Sequence, residues 1–408
     1  MTLAFVTAGC SSGDDSGDSN SFEFWSFTGI DQQAAVDVYL ADHPDIEIKL
    51  TEVGSSAETA QALTTALAGG KVPDLVLIQG DDLPLFVAQP QNFYDLREFG
   101  ADDVQDDYLD WVISQSTAEN GEILGIPTDV GGMAVAYRTD LFADAGFPTD
   151  RTEVSDLWRT WEDFIETGRD YVAATGEPFV DNASTTIFYQ AVNQGPMKYY
   201  DDDRSLAYDR SPQVRAAFDY ALAAIDAGIT AKQSAWTPAW SAGRANGDYA
   251  VQAAPSWMLN QIKNDAPDTE GSWDVAAIPG GVGNWGGSYL AIPKRAENPQ
   301  AAWDYISAMQ SPEGQLANFV RTGALPTTPE VYEDPQLTST EDSFFSGAPI
   351  GVIYTDSLLG LEPFYIGPDE STIGLEFLNA LVEVEEGEGD PDQAWETALA
   401  NIATAIGQ

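Results

Sequence analysis

The chain has 408 residues, with 17 Lys plus Arg against 66 Asp plus Glu, one His, one Cys and a formal net charge of -49. At about 150 residues per domain the length predicts two to three domains, and 11 Trp, 18 Phe and 16 Tyr supply enough apolar surface for real cores, which excludes a disordered acidic tail. So negative a surface repels phosphate backbones and anionic head groups, which excludes nucleic acid as a partner; a single Cys excludes a disulfide framework, a four-Cys zinc site and an iron–sulfur cluster.

The charge imbalance has two sources, because acids are abundant and Lys is confined to positions 49, 71, 198, 232, 263 and 294. In dilute buffer such a charge works against the compact state by self-repulsion. At molar salt the Debye length falls to about 3 Å and the repulsion is screened, so the balance reads as adaptation to brine. The alternative is a merely acidic secreted protein.

In chain order, Cys10 ends the segment Thr7-Ala8-Gly9-Cys10, after the apolar Leu3-Ala4-Phe5-Val6 and before a run of Ser, Gly, Asp and Asn. The arrangement resembles a lipoprotein signal, in which residues 1–10 are a signal remnant and the Cys10 thiol carries a lipid anchor. Thr7 stands where Leu is usual and no basic segment precedes it, which fits a start inside a longer leader. A buried Cys in an N-terminal strand is the competing reading. Residues 11–20 are too polar to bury and read as a flexible acidic tether.

From Ser21 the pattern is that of a folded domain. Phe22 to Phe27 alternate as a strand, residues 30–43 recur at helical spacing up to Pro44, and residues 46–50 alternate again. Residues 56–68 read as a second helix stopped by Gly69-Gly70, and Asp74 to Ile78 as a continuous apolar strand. Strand, helix, strand, helix and buried strand predict an α/β fold with a parallel sheet covered on both faces. Two more strands are predicted at 123–127 and 133–137, and helices open at Thr139 and Thr160. Further helices are expected over 212–227, 298–309, 313–320, 371–384 and 391–406, with a strand over 288–293. Gly280, Gly281, Gly283, Gly286 and Gly287 cluster before that strand and read as a crossing or hinge segment.

Phe24-Trp25-Ser26, Val72-Pro73-Asp74-Leu75-Val76, Ile126-Pro127-Thr128-Asp129, Tyr137 to Phe142, Trp161-Glu162-Asp163-Phe164, Ala254-Pro255-Ser256-Trp257, Gly286-Gly287-Ser288-Tyr289, Asn298 to Trp303 and Gly323-Ala324-Leu325-Pro326 follow one another in an order that resembles the extracellular solute-binding proteins of ABC importers. The nearest group is the sugar-binding one of maltose and multiple-sugar type, and the resemblance spans residues 20 to 408. It implies a periplasmic-binding-protein-like fold of two α/β lobes with a hinge and a ligand cleft between them. Carried onto this chain, one lobe takes residues 21–127 plus 290–325 and the other residues 128–289 plus 326–408. Hinge candidates are 129–136, where Gly131-Gly132 reads either as hinge or as an ordinary bulge, and 286–291. The implied partners are a small saccharide, the transmembrane permease subunits and, through Cys10, the outer face of the cell membrane; the protein is expected to be a monomer without cofactor.

Several Trp stand beside turn residues rather than in periodic apolar segments, and a sugar ring offers C–H faces to flat aromatics and hydroxyls to carboxylates. Trp25, Ser26 and Thr28 end the first strand, and Gln79 and Asp81 end the third, where ligands sit in open α/β sheets. From the second lobe come Asp129 at the crossing, Tyr189, Trp236 and Trp240 in a Pro-containing loop, Trp257 after Pro255-Ser256, and Trp285 with Gly287. Each Trp has core packing as its competing role, Asp81 and Asp129 a cap or turn, while Trp161 and Trp303 follow helical periodicity and are expected in the core. A lone His43 and carboxylate runs without an EF-hand pattern predict no metal site. A secreted glycoside hydrolase, which also uses aromatic platforms, and a binding protein for a polyol or phosphorylated glycerol are the alternatives.

Overall fold

The structure, a computed structural model, describes residues 20–30 and 32–407. Cys10 and residues 11–19 of the tether lie outside the described residues. Two sheets organise the chain. The first has the order β2-β1-β3-β8-β4, with β1 Ser21–Ser26, β2 Glu47–Glu52, β3 Leu75–Gln79, β4 Gly125–Pro127 and β8 Ser288–Ala291. The second has the order β6-β5-β7, with β5 Met133–Arg138, β6 Val251–Pro255 and β7 Trp273–Ala277.

Alternation decides which way each residue of the first sheet faces. Phe22 and Phe24 on β1, Leu75 and Leu77 on β3 and Leu290 on β8 face one core, closed by the helices Gln32–Asp42 and Pro299–Met309 through Val36, Tyr39, Trp303 and Tyr305. Tyr305 is its centre, with ring centroids 5.0 Å from Tyr39, 5.7 Å from Phe24 and 6.0 Å from Phe22. Val76, Ile78 and Tyr289 face the opposite side, against Leu63 of the helix Ser56–Gly69 and Val112 of the helix Asp110–Gln115, and this second core continues into the other lobe. Ser55 and Glu58 form a capping box at the first of these helices, satisfying backbone donors that the sheet cannot reach.

The parallel sheet expected from the first three strands is present, and the strands added to it later make it mixed. β1, β2 and β3 are parallel, but β8 runs antiparallel to both β3 and β4, and the second sheet is antiparallel throughout. An apolar run buried on both faces looks the same in either direction, so only the path of the chain decided it. In the second lobe Ala134, Ala136, Ala253, Ala254 and Ala276 keep the sheet surface low, and Tyr354 of the helix Ile350–Leu359 reaches across it to donate to the Ala254 carbonyl at 2.9 Å. Phe142, Trp158, Phe164, Tyr171 and Phe179 form an aromatic interior with centroid spacings of 5.1 to 6.3 Å. Trp161 and Trp303 are buried, as helical periodicity predicted.

The chain crosses between the sheets along residues 128–132 and 284–287. These crossings are tied to each other, with Trp285 N–H donating to Gly131 O at 2.8 Å and Gly131 N–H to Asn284 Oδ1 at 2.8 Å, and the first is also tied to a third segment, Val130 N–H donating to Leu325 O at 3.0 Å. The predicted hinges are therefore shortened, because residues 133–136 belong to β5 and 288–291 to β8. Of the glycine cluster, Gly286 and Gly287 lie in the crossing, whereas Gly280 packs on Gln194 at the end of β7. Gly131 is where a side chain has no room: a Cβ would stand 1.8 Å from the Trp285 carbonyl oxygen.

Candidate functional site

Between the lobes lies a narrow pocket of about 30 Å³. Gly80, Asp81, Trp111 and Gln115 line it from the first lobe, Tyr189, Asn193 and Lys198 from the second, Asn284 and Gly286 from the crossing, and Leu361, Pro363, Phe364 and Ile366 from the segment that precedes the helix Glu370–Glu386. Asp81 sits two residues beyond Gln79, the last residue of β3, with its N–H bonded to Gln79 Oε1 at 2.7 Å, so the strand end fixes its place. Tyr189 follows a π-helical turn, Ser184–Phe188, a local distortion that often re-aims side chains at functional sites. Its hydroxyl donates to Asp81 Oδ2 at 2.5 Å. Burial, reinforced by the Asp81 charge, holds the Tyr189 hydroxyl well above the usual tyrosine range, so it stays a proton donor.

Other contacts bridge the lobes beside this bond. Ser371 Oγ lies 2.7 Å from Asp82 Oδ1 and 2.9 Å from Asp81 O, Gln261 Nε2 donates to Gly29 O at 3.2 Å, and Arg204 pairs with Glu119 at 3.1 Å. Burial raises the Asp82 carboxyl above its ordinary range, the Ser371 hydroxyl opposes that shift and Asp81 adds to it. Asp129 accepts from Thr128 Oγ1 at 2.7 Å beside Ser288, and although part of its surface is accessible, its crowded surroundings raise its carboxyl too.

Next to the pocket stands an aromatic group assembled from three distant segments. Trp285 has its ring 5.2 Å from Tyr189 and 5.5 Å from Trp257. Trp236 lies nearly parallel to Trp257, 6.0 Å away at 15°, and is 58% exposed. Its φ is +67°, an uncommon backbone state for a bulky residue and one that the surrounding loop must hold in place. Trp236 is thus held by Trp240, Trp257 and Trp285 while more than half of it stays exposed to solvent.

The predicted residues separate into two sets. Asp81 and Tyr189 are brought together on the pocket wall, Trp236, Trp257 and Trp285 form the aromatic group beside it, and Asp129 and Gly287 stand at the crossing, where Gly287 O accepts from Gly80 N–H at 2.9 Å. The others are placed elsewhere. Trp240 is buried, donating to Asp181 Oδ2 at 2.7 Å under the Arg244 guanidinium, and its ring packs against Trp236 at 5.2 Å, so it supports the aromatic group from the core. Trp25 turns its indole N–H back along β1 to Glu23 at 3.1 Å, Ser26 is fully buried on the Phe27 carbonyl, and Thr28 is exposed with its hydroxyl on Gly54 O. Gln79 is half-buried and serves Asp81. Sequence reasoning missed Trp111, Asn193, Lys198, Asn284 and Phe364. One signal was available: Lys198 is one of six lysines and stands among Met197, Tyr199 and Tyr200, an apolar setting unusual for a solvated charge.

Two α/β lobes with paired crossings and a polar, aromatic-walled pocket between them define a clamshell ligand-binding protein. The profile of the bacterial extracellular solute-binding protein family matches residues 34–344, and the chain belongs to that family, which places its work outside the cytoplasm. It is similar to the arabinooligosaccharide-binding protein of Bacillus subtilis (strain 168), 24% identical over 90% of this chain and 88% of that protein. It is also similar to the lactose-binding protein of Rhizobium radiobacter, 25% identical over 80% of this chain and 78% of that one. Among solved structures, an extracellular solute-binding protein of family 1 superimposes with a TM-score of 0.83 and 32% identity, over 94% of this chain and 99% of that chain. The ABC transporter associated binding protein from B. animalis subsp. lactis Bl-04, solved in complex with beta-1,6-galactobiose, shares the fold with a TM-score of 0.78 and 22% identity, over 95% and 98% of the two chains.

Proposed function

We propose that the protein is the saccharide receptor of an ABC importer: it takes a neutral oligosaccharide into the interlobe pocket, closes on it, and presents the closed form to the permease. The observation that carries this reading is the exposed Trp236, stacked on Trp257, beside a pocket whose wall holds Asp81 and Tyr189. Indole faces take the C–H surface of a pyranose or furanose ring, and a carboxylate accepts from vicinal hydroxyls. The names of the relatives, arabinooligosaccharide- and lactose-binding, agree with that chemistry.

Binding without conversion is favoured by the lining itself. Asp81 is its single carboxylate, whereas glycoside hydrolysis uses a pair of carboxyl groups flanking the scissile bond. A thermal-shift screen of arabinotriose, lactose, maltotriose and galactobiose at high salt, followed by chromatography of the sugar, tests both parts. A raised melting temperature with the sugar recovered intact supports the receptor; cleaved sugar identifies an enzyme, and no shift with any saccharide removes the reading.

The same reading includes a lipid anchor on Cys10, a tether over residues 11–20, a monomeric receptor at the outer face of the membrane and a surface adapted to brine. Cys10→Ser is expected to release the protein from the membrane fraction into the medium, and retention in the membrane would contradict the anchor.

A further inference from the structure

Lys198 and Glu370 form an ion pair beside the pocket that no part of the receptor reading requires. Both side chains are almost wholly buried, at 2% and 1% exposure, with Nζ 2.6 Å from Oε1. Apart from that pair, neither Glu370 carboxylate oxygen nor the neighbouring Tyr199 hydroxyl has a hydrogen-bond partner among the described residues. The Lys198 ammonium lies over the rings of Tyr199 at 4.9 Å, Tyr189 at 5.3 Å and Phe364 at 5.9 Å, and its side chain lines the pocket that Asp81 lines from the other lobe.

Burying two charges is costly, and an apolar pair of equal volume is often no worse for stability, so the presence of the pair calls for a role other than stability. We propose that Lys198 and Glu370 set the ligand class of the pocket, admitting hydroxyl-rich neutral saccharides and rejecting those that carry a carboxylate, such as aldonic or uronic acids. The inference rests on the receptor reading and deepens it. A lone ammonium among aromatic walls would attract a carboxylate; Glu370 neutralises it from behind, and Asp81 adds a negative charge opposite. An acidic sugar therefore meets the Asp81 carboxylate on the pocket wall and a cation already committed to Glu370. A neutral sugar finds an N–H donor on Lys198 and an acceptor on Asp81, both fixed in place before it arrives.

The test uses matched open-chain probes, the alditol and the aldonic acid of each saccharide in the screen, which differ by a single carboxylate. Titration calorimetry in 2 M KCl screens the -49 background charge, so that what remains is local. The wild type is expected to bind the alditol at least about tenfold more tightly than the aldonate, and E370Q, which keeps the shape and removes the compensating charge, to narrow that gap to about threefold or less. Equal binding of alditol and aldonate by the wild type, or an unchanged gap in E370Q, overturns the proposal while leaving the receptor reading intact. Should E370Q not fold, the double variant K198M/E370M takes its place. It is expected to lose about tenfold in alditol affinity and to narrow the gap to about threefold or less, and an unchanged gap overturns the proposal. A wild type that binds no parent saccharide removes the receptor reading, and this inference with it.

Discussion

The Tyr189 hydroxyl and the Asp81 carboxylate meet at 2.5 Å, one from each lobe, so a single charge-assisted hydrogen bond joins the halves of the protein at the wall of its pocket. Tyr189→Phe removes the donor and leaves a partly buried carboxylate one partner short, a loss of about 1.5–3 kcal/mol from the lobe-to-lobe contact. Saccharide affinity is expected to fall about tenfold or more. The radius of gyration of the ligand-free protein in small-angle scattering should rise as the open form gains population. A variant with wild-type affinity and an unchanged scattering curve would show that the bond does not couple closure to binding.

Trp236 and Trp240 are four residues apart and predict opposite phenotypes. Trp236 is exposed with its backbone in the left-handed region, so Trp236→Ala should leave the melting temperature unchanged within a degree or two while weakening oligosaccharide binding about tenfold. Trp240 is 2% exposed beneath Arg244, and Trp240→Ala should cost about 3–5 kcal/mol in urea unfolding. Equal destabilisation by the two substitutions would contradict the assignment of one to the cleft and the other to the core.

Gly131→Ala tests the crossing. A Cβ 1.8 Å from the Trp285 carbonyl oxygen cannot be accommodated by a side-chain rotation, because the obstacle is backbone. The two crossings must part, with loss of the Trp285 N–H to Gly131 O bond, and destabilisation of about 3 kcal/mol or more is expected in urea titrations. A variant of wild-type stability would show that the crossings are not held in register at this point.

Asp181 gives a pH signature. Burial pushes its carboxyl up to about 6, against the opposing bonds from Thr186, Trp240 and the Asn182 backbone and the field of Arg244. Because this value lies above the 3.8 of an unperturbed Asp, the folded state holds the proton more tightly, and the stability so gained is present at pH 4 and below and lost as pH rises through 6. Asp181→Asn abolishes this term and keeps an acceptor for Trp240. Its stability relative to wild type should therefore rise by roughly 2 kcal/mol between pH 4 and pH 7, read from urea melts. A pH-independent difference would place the Asp181 carboxyl at its ordinary value.

Salt should act on the whole molecule. With 66 acidic residues against 17 basic ones, raising KCl from 0.1 to 2 M screens the self-repulsion, and the melting temperature is expected to rise by about 5 °C or more. A flat or falling melting temperature would exclude brine adaptation as the reason for the charge.

Much of the frame was legible because periodicity is a local property. The alternation from Phe22 to Phe27, the apolar run at Leu75–Ile78, the Thr160 cap and the Pro212 and Pro312 helix starts all stand where pattern and capping chemistry place them. Trp236, Trp257 and Trp285 were singled out for the same kind of reason, since a Trp beside Pro, Ser or Gly has no periodic face to hide in. Trp240, in the first turn of the helix Pro238–Asn246, is turned inward beneath Trp236, and Trp25 on its strand has its indole N–H on Glu23, placements that no local pattern signals.

Lys198 and Glu370 stand 172 positions apart in the numbering, and neither residue type carries information about the other. Amino-acid order by itself determined the first strands, most of the long helices and the acidic surface, because these depend on side-chain type and spacing within a turn or two, whereas β6, β7 and the helix Ile350–Leu359 carry no such signal. Only the tertiary structure decided the direction of β8, the pairing of the crossings and the meeting of Asp81 with Tyr189. Those are outcomes of how distant segments pack, and packing is settled by the shape and burial of the whole chain at once.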